Sequence, residues 1–134
     1  MPTRVPRPSA SSTGPSRTAR GAAAEELAAG HLISQGYRIV ARNHRCAGGE
    51  IDIIAYDGDT LCFVEVRSLA NPEHGDPLET IDRRKIGRVV RAARNYLETL
   101  SGPWPEMRFD AIGIVLTEPP DIRLVREAFE ASAT

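Results

Sequence analysis

GEIDIIAYDGDTLCFVEVR, residues 49–67, reads as two strands that should be buried yet carry acids. Gly49–Ala55 is the first and Leu61–Arg67 the second, and both are rich in β-branched and aromatic residues. Asp57-Gly58-Asp59 between them is a hairpin signal, because Gly and Asp accept the positive φ of tight hairpin turns. Strand alternation puts Ile51, Ile53, Cys62, Val64 and Val66 on one face. It puts Asp52, Ile54, Leu61, Phe63, Glu65 and Arg67 on the other, with Asp52 in phase with Glu65. Both faces are mostly apolar, so these are central strands covered on both sides. A bare buried carboxylate is costly and normally has a cation, metal or donor beside it. Two carboxylates and one guanidinium on one face of a hairpin therefore point to a constructed site.

The flanking sequence builds a domain around this hairpin. Ala24, Leu27, Ala28, His31 and Leu32 recur at helical spacing, and Gly36 is a helix stop. Residues 37–43 read as a strand, and residues 68–77, with Gly75 and two prolines, as a loop. A helix is expected over residues 80–100, with Ile86, Val89, Val90, Ala93, Leu97 and Leu100 on one stripe. Strands are expected over residues 107–116 and 121–126. The order is α-β-β-β-α-β-β, an α/β (α+β mixed) fold with a mixed sheet flanked by helices.

Length and composition add limits. A chain of 134 residues is one domain, assigned here to residues 21–134. Residues 1–20 hold Arg4, Arg7, Arg17 and Arg20 and no acid, are rich in Pro and Ser, and are expected to be a disordered tail. An Arg- and Ser-rich start also fits an organellar transit peptide, but its four prolines argue against the amphipathic helix needed. The remainder carries a net charge of −5, so bulk charge announces no nucleic-acid binder. Lys85 is the only lysine among the 17 basic residues. Cys46 and Cys62 have no metal or redox spacing, and Cys62 reads as a small core residue. No apolar run reaches membrane-spanning length and no signal core is visible, so a cytoplasmic location without membrane attachment is expected.

Three observations bear on chemistry. Asp52, Glu65 and Arg67 form the first. Hard divalent cations bind through one or two carboxylates and keep several waters, and such ions polarise phosphates. The bland alternative is an internal salt bridge of Arg67 with Asp52 or Glu65. Glu25 is the second: it flanks the apolar stripe of the first helix and could reach the sheet as a further ligand, or simply sit solvated near the helix N-terminus. The third is the basic helix. Arg84, Arg88 and Arg91 follow i, i+4, i+7 spacing opposite the apolar stripe, with Arg83, Lys85 and Arg94 on the flanks. This face suits phosphates, although a solvated face is the usual reason for such a run. Aromatic residues are few, so no base-stacking platform is visible.

Gly21, Glu25, Ala28, Leu32, Gly36-Tyr37, Arg42-Asn43, GEIDIIA, FVEVR, Gly75, Lys85, Ala93, Arg108-Phe109-Asp110 and Ala128-Phe129 together resemble the YraN family of bacterial proteins. That family is similar to archaeal Holliday-junction resolvases and belongs to the restriction-endonuclease-like PD-(D/E)xK superfamily. The resemblance covers about residues 21–130. It implies a restriction-endonuclease-like mixed sheet and phosphodiester hydrolysis dependent on Mg²⁺ or Mn²⁺. It also implies Asp52, Glu65 and Glu25 as metal ligands, with the Val66 carbonyl nearby. Arg67 stands where the family usually has Lys. Lys can act as a base when desolvated and Arg cannot, although Arg67 can orient water and offset phosphate charge. Lys85 matches a family lysine on the second helix.

The expectation is a nuclease-like protein acting on DNA, including branched or recombining DNA. Glu25, Asp52, Glu65 and Arg67 would be catalytic, and Arg84, Lys85, Arg88 and Arg91 would contact DNA. The alternatives are a DNA-binding module of the same fold, its activity weakened through Arg67, and a protein-interaction domain whose acids are structural. A homodimer is compatible with each.

Overall fold

The computed structural model describes the backbone of residues 17–131 and side chains from Gly21 onward. The tail expected over residues 1–20 lies outside the described residues as far as residue 16. Helix α1 (Arg17–Ser34) leads into strand β1 (Arg38–Cys46), β2 (Gly49–Asp57) and β3 (Thr60–Leu69). Two short 3-10 turns, Pro72–His74 and Pro77–Thr80, precede helix α2 (Arg83–Leu97), which is followed by β4 (Met107–Val115) and β5 (Asp121–Phe129). The sheet order is β1-β2-β3-β4-β5, antiparallel except for the parallel pair β3–β4 across the α2 connection. The expected mixed fold and element order are observed. Among the described residues, no helix is long and apolar enough to cross a membrane.

Local chemistry sets the boundaries. Gly36, at a φ of 93°, ends α1 by letting the Tyr37 N–H donate to the Leu32 carbonyl at 3.0 Å. Asp82 caps α2 by accepting from the Lys85 N–H at 2.9 Å, so the helix starts at Arg83 rather than at residue 80. Beyond Leu97 the chain leaves the helix through turn bonds such as Leu100 N–H to the Leu97 carbonyl. Strand β1 continues three residues past the expected end, to Cys46, because it pairs with β2 as far as Gly49.

Two apolar layers sandwich the sheet. On one face, Ala24, Ala28 and Leu32 of α1 pack on Ile53, Val64 and Ile112. On the other, Val89, Ala93 and Leu97 of α2 pack on Ile54, Phe63 and Phe109. Cys62 lies in the α1 layer as a buried free thiol. The alternation expected for β3 holds. In β2 it slips: Ile53 faces α1, but Ile51 faces α2 rather than sharing the face of Ile53. The β1–β2 register passes over Asn43 and Asp52, and Asn43 sits at a φ of 53°. The change of face in β2 thus falls at Asp52, opposite Asn43, with the β1–β2 register unshifted across it. Gly49 begins β2 against α2, where a Cβ would come within 2.7 Å of the Ala92 nitrogen and the Arg88 carbonyl. Only glycine allows that approach.

Asp110 organises the far end of the sheet. Its side chain is fully buried and accepts hydrogen bonds from Tyr37 Oη (2.8 Å), Arg108 Nε (2.8 Å) and the Glu127 N–H (3.0 Å). The Glu127 bond holds that residue at a φ of 56°, beside the register shift between β4 and β5. Arg108 also reaches Asp57 at 2.8 Å, which ties the hairpin to β4. These donors hold the Asp110 carboxyl below the usual carboxylate range, overcoming its burial. Asp110→Ala leaves the Tyr37 hydroxyl and the Glu127 amide without their acceptor and weakens the pairing of a partly buried guanidinium. It should cost about 3–5 kcal/mol. Denaturant unfolding checks this, and a loss below about 1 kcal/mol would contradict the assigned role.

Candidate metal centre and basic cleft

The strand pair β2–β3 comes apart at its acidic end. Its last pair is Ile53 with Val64, and the next rung brings Asp52 opposite Glu65. No ladder bond continues there. Instead Asp52 Oδ2 accepts the Val66 N–H at 2.8 Å, a side-chain oxygen doing the work of a backbone carbonyl. The opening forms a cleft of about 320 Å³ whose lining includes Glu25, Glu50, Asp52, Glu65, Arg67 and Lys85. Glu25 comes from α1, the other acids from β2 and β3, and Lys85 from the first turn of α2, with Arg84 and Arg88 beside it.

Every residue expected to be catalytic lines this cleft. Glu65 is almost wholly buried and Asp52 largely so. Burial and the neighbouring Asp52 charge push the Glu65 carboxyl up to about 8, against the pull of Arg67. Burial, with Glu25 and Glu50 behind it, pushes Asp52 up to about 6, against the Val66 hydrogen bond. Both carboxyls are pushed towards their protonated forms, and they titrate as a pair rather than singly. Arg67 Nη1 reaches Glu65 Oε2 at 3.4 Å, while its Nε donates to Thr80 Oγ1 at 2.8 Å. Thr80 itself donates to the Pro77 carbonyl at 2.6 Å. The guanidinium is thus aimed from its far side and meets Glu65 at long range, without neutralising the pair. Glu25 Oε1 accepts from Asn43 Nδ2 at 3.1 Å, which holds the α1 acid over the change of face in the sheet.

The basic helix divides. Arg84 and Lys85 enter the cleft and form no ion pair among the described residues. Arg88, expected opposite the apolar stripe, is half-buried and meets Glu50 Oε1 at 3.4 Å. Arg91 stands outside the cleft, its Nε donating to the Gly48 carbonyl at 2.7 Å. The sequence reading passed over Glu50 and Thr80. Glu50 lies two residues before Asp52 on the same strand, but the change of face at Asp52 keeps alternation from placing it. Nothing in the sequence marks Thr80, which meets Arg67 only after the chain folds back through two 3-10 turns.

Among the described residues, no three His, Cys, Asp or Glu side chains converge into a ready metal cage. The pair Asp52–Glu65 nevertheless suits a hard cation held by one or two carboxylates and several waters. Two adjacent buried carboxyls that resist ionising are what a divalent cation would relieve.

The sign of the linkage follows from those shifts. Both carboxyls sit above their ordinary values of 3.8 and 4.5, so the folded protein keeps protons the unfolded chain has released. Their contribution to stability is full below about pH 4 and is lost as pH rises through about 6 and then 8. In chelator, wild type should lose on the order of a few kcal/mol between pH 4 and pH 8. Glu65→Gln should flatten that loss, so that the variant exceeds wild type at pH 8 but not at pH 4. Thermal or urea unfolding across pH checks this, and parallel profiles for the two proteins would refute the description of a coupled pair.

The chain matches the family described as "Uncharacterised protein family UPF0102" over residues 24–114. Within that span fall Glu25, Asp52, Glu65, Arg67 and the basic part of α2. It is 50% identical over 95 residues to a UPF0102 protein of Chlorobaculum tepidum, covering 71% of this chain and 74% of the relative. A UPF0102 protein of Cupriavidus taiwanensis is 47% identical over 121 residues, covering 89% of this chain and 88% of the relative. One from an Anaeromyxobacter species is 41% identical over 115 residues, with 85% and 86% covered. The chain belongs to the UPF0102 family.

Proposed function

We propose that this protein is a metal-dependent endonuclease-like enzyme that hydrolyses phosphodiesters in DNA, including branched or recombining DNA. The observation that carries the reading is the carboxylate pair where β2 and β3 separate, facing Arg84 and Lys85 across one cleft. Buried acids opposite unpaired cations suit a substrate that is itself anionic and a cation that bridges the two. The likeness to the YraN family and its nuclease superfamily supports the same reading.

Asp52 and Glu65 would hold Mg²⁺ or Mn²⁺, with Glu25 a further acid of the same cleft. When bound, such an ion polarises a phosphoryl oxygen and makes water a better nucleophile at neutral pH. The carboxyl pair gives up its proton to solvent as it ionises, and Asp52 stays fixed by the Val66 N–H. Arg67, aimed by Thr80, offsets charge on the phosphate and orients the water through its remaining N–H donors. It cannot take a proton. The proton leaves to a phosphate oxygen, to solvent or to another group. Lys85 is the cation in the cleft whose chemistry permits proton release. Arg84 and Lys85 steady the phosphate.

One observation favours a second reading. Arg67 both replaces the expected lysine and leans on Glu65 at 3.4 Å. A module that grips DNA with little or no cleavage follows if that contact outcompetes the cation.

The test is incubation with nicked, flapped, four-way and linear DNA in Mg²⁺, Mn²⁺ or chelator. Cleavage should require the cation, and Asp52→Asn or Glu65→Gln should lower it at least roughly 100-fold. Arg67→Lys should preserve or raise the rate, and Arg67→Ala should fall below both. DNA binding without cleavage in all of these proteins would transfer the conclusion to the binding module. Loss of activity in Arg67→Lys alone would mean the guanidinium has a specific role.

A further inference from the structure

Gly87 sits inside α2, where glycine weakens a helix relative to alanine. Nothing within the fold calls for it. A Cβ there would meet only the Arg91 guanidinium, at 3.5 Å and beyond, an ordinary contact. Gly49, by contrast, is required by the backbone of α2 itself. A helix-interior glycine without an internal reason leaves an open strip of backbone that something outside the protein can approach.

What flanks the strip is charge. On one side lies the acid cleft with Arg84 and Lys85. On the other lies a second hollow of about 420 Å³, whose lining includes Gly87, Val90, Arg91, Arg94, Asn95 and Glu98. The distribution of ion pairs sets α2 apart. Outside it, every arginine whose side chain is described, except Arg38, meets a carboxylate. On it, among the described residues, only Arg88 does, and Arg83, Arg84, Lys85, Arg91 and Arg94 do not. Arg91 spends only its Nε, on the Gly48 carbonyl. Unpaired cations thus line both sides of Gly87, in a chain that has acids to spare.

We propose that one strand of nucleic acid runs along α2 across Gly87, with one phosphate at the acid cleft against Arg84 and Lys85 and another in the second hollow against Arg91 and Arg94. The two positions are separated by about 10 Å along the helix, or about three nucleotides at the axial spacing of a strand in duplex form and fewer for an extended single strand. The missing side chain at residue 87 lets the sugar–phosphate chain pass close to the helix. Glu98, at the C-terminal end of α2 one turn beyond Arg94, closes that end of the hollow, so the phosphate sits on the Arg91 and Arg94 side and the track stops there. This inference rests on the nucleic-acid reading of the cleft and fixes the path that the strand takes from it.

The experiment measures binding of labelled mixed-sequence oligonucleotides of roughly three, six and twelve nucleotides, in chelator, with salt varied. Wild type should gain affinity in a step once the strand reaches the second hollow. Arg94→Ala, which removes a side chain with no ion pair, should lose about ten-fold on the longer strands, flatten the salt slope by about one phosphate contact and leave the shortest strand unaffected. Gly87→Leu should lose the same step, whereas Arg84→Ala should weaken every length. Gly87→Ala should melt no lower than wild type; a lower melting temperature would give the glycine a structural role and remove the argument. Long strands bound equally by wild type, Arg94→Ala and Gly87→Leu would overturn the track, as would failure to bind at any length. A length step without Mg²⁺-dependent cleavage would retire the hydrolase reading and leave the track standing.

Discussion

The hydrogen bond from the Val66 N–H to Asp52 Oδ2, at 2.8 Å, is the contact on which the rest of the site depends. A central strand pair in a covered sheet would ordinarily continue its backbone ladder to the end. Here the ladder stops at Ile53–Val64, and a side chain takes the next N–H. Two things follow. The strands open wide enough to form a cleft, and the acid that holds the opening cannot leave it without orphaning a backbone donor. Asp52 is therefore fixed in place while burial and its acidic neighbours penalise its charge. Glu65, on the facing strand, shares that penalty.

Around this point the protein separates two uses of arginine. Arg108, Arg123 and Arg126 bind carboxylates and tie elements of the fold together. Arg45 and Arg88 both reach Glu50, and Arg91 holds the Gly48 carbonyl, so the β1–β2 turn is stitched to α2. Gly49 brings that turn against the helix. The structural arginines thereby set the distance between the acids of β2 and the unpaired cations of α2. A net charge of −1 conceals this arrangement completely. The averaged charge of a chain says little about a cleft in which both signs are held a few residues apart.

Much of this was legible in the sequence because the governing signals are local. The hairpin showed itself through apolar strands around Asp57-Gly58-Asp59, and the register it implied brought Asp52 opposite Glu65. The apolar stripe of α2 named Val89, Ala93 and Leu97, all buried. The departures have physical causes. Ile51 faces α2 because the strand changes face at Asp52, opposite Asn43 at positive φ, and period-two counting cannot see such a break. Arg88 looked like a solvent-facing residue because helical spacing says nothing about Glu50 on β2. Thr80 was invisible for the same reason: its partnership with Arg67 exists only through tertiary return of the chain. Asp110 entered only as part of a familiar string, and its burial shows that it anchors the sheet.

The central claim is that Asp52 and Glu65 form one divalent-cation site. Calorimetric titration of Mn²⁺ and Mg²⁺ into the metal-free protein near neutral pH, repeated in buffers of different ionisation enthalpy, tests it most directly. The account predicts one site, release of roughly one proton from the carboxyl pair, and loss of binding in both Asp52→Asn and Glu65→Gln. Binding that survives both substitutions, or an absence of binding by folded wild-type protein at millimolar cation, would contradict it.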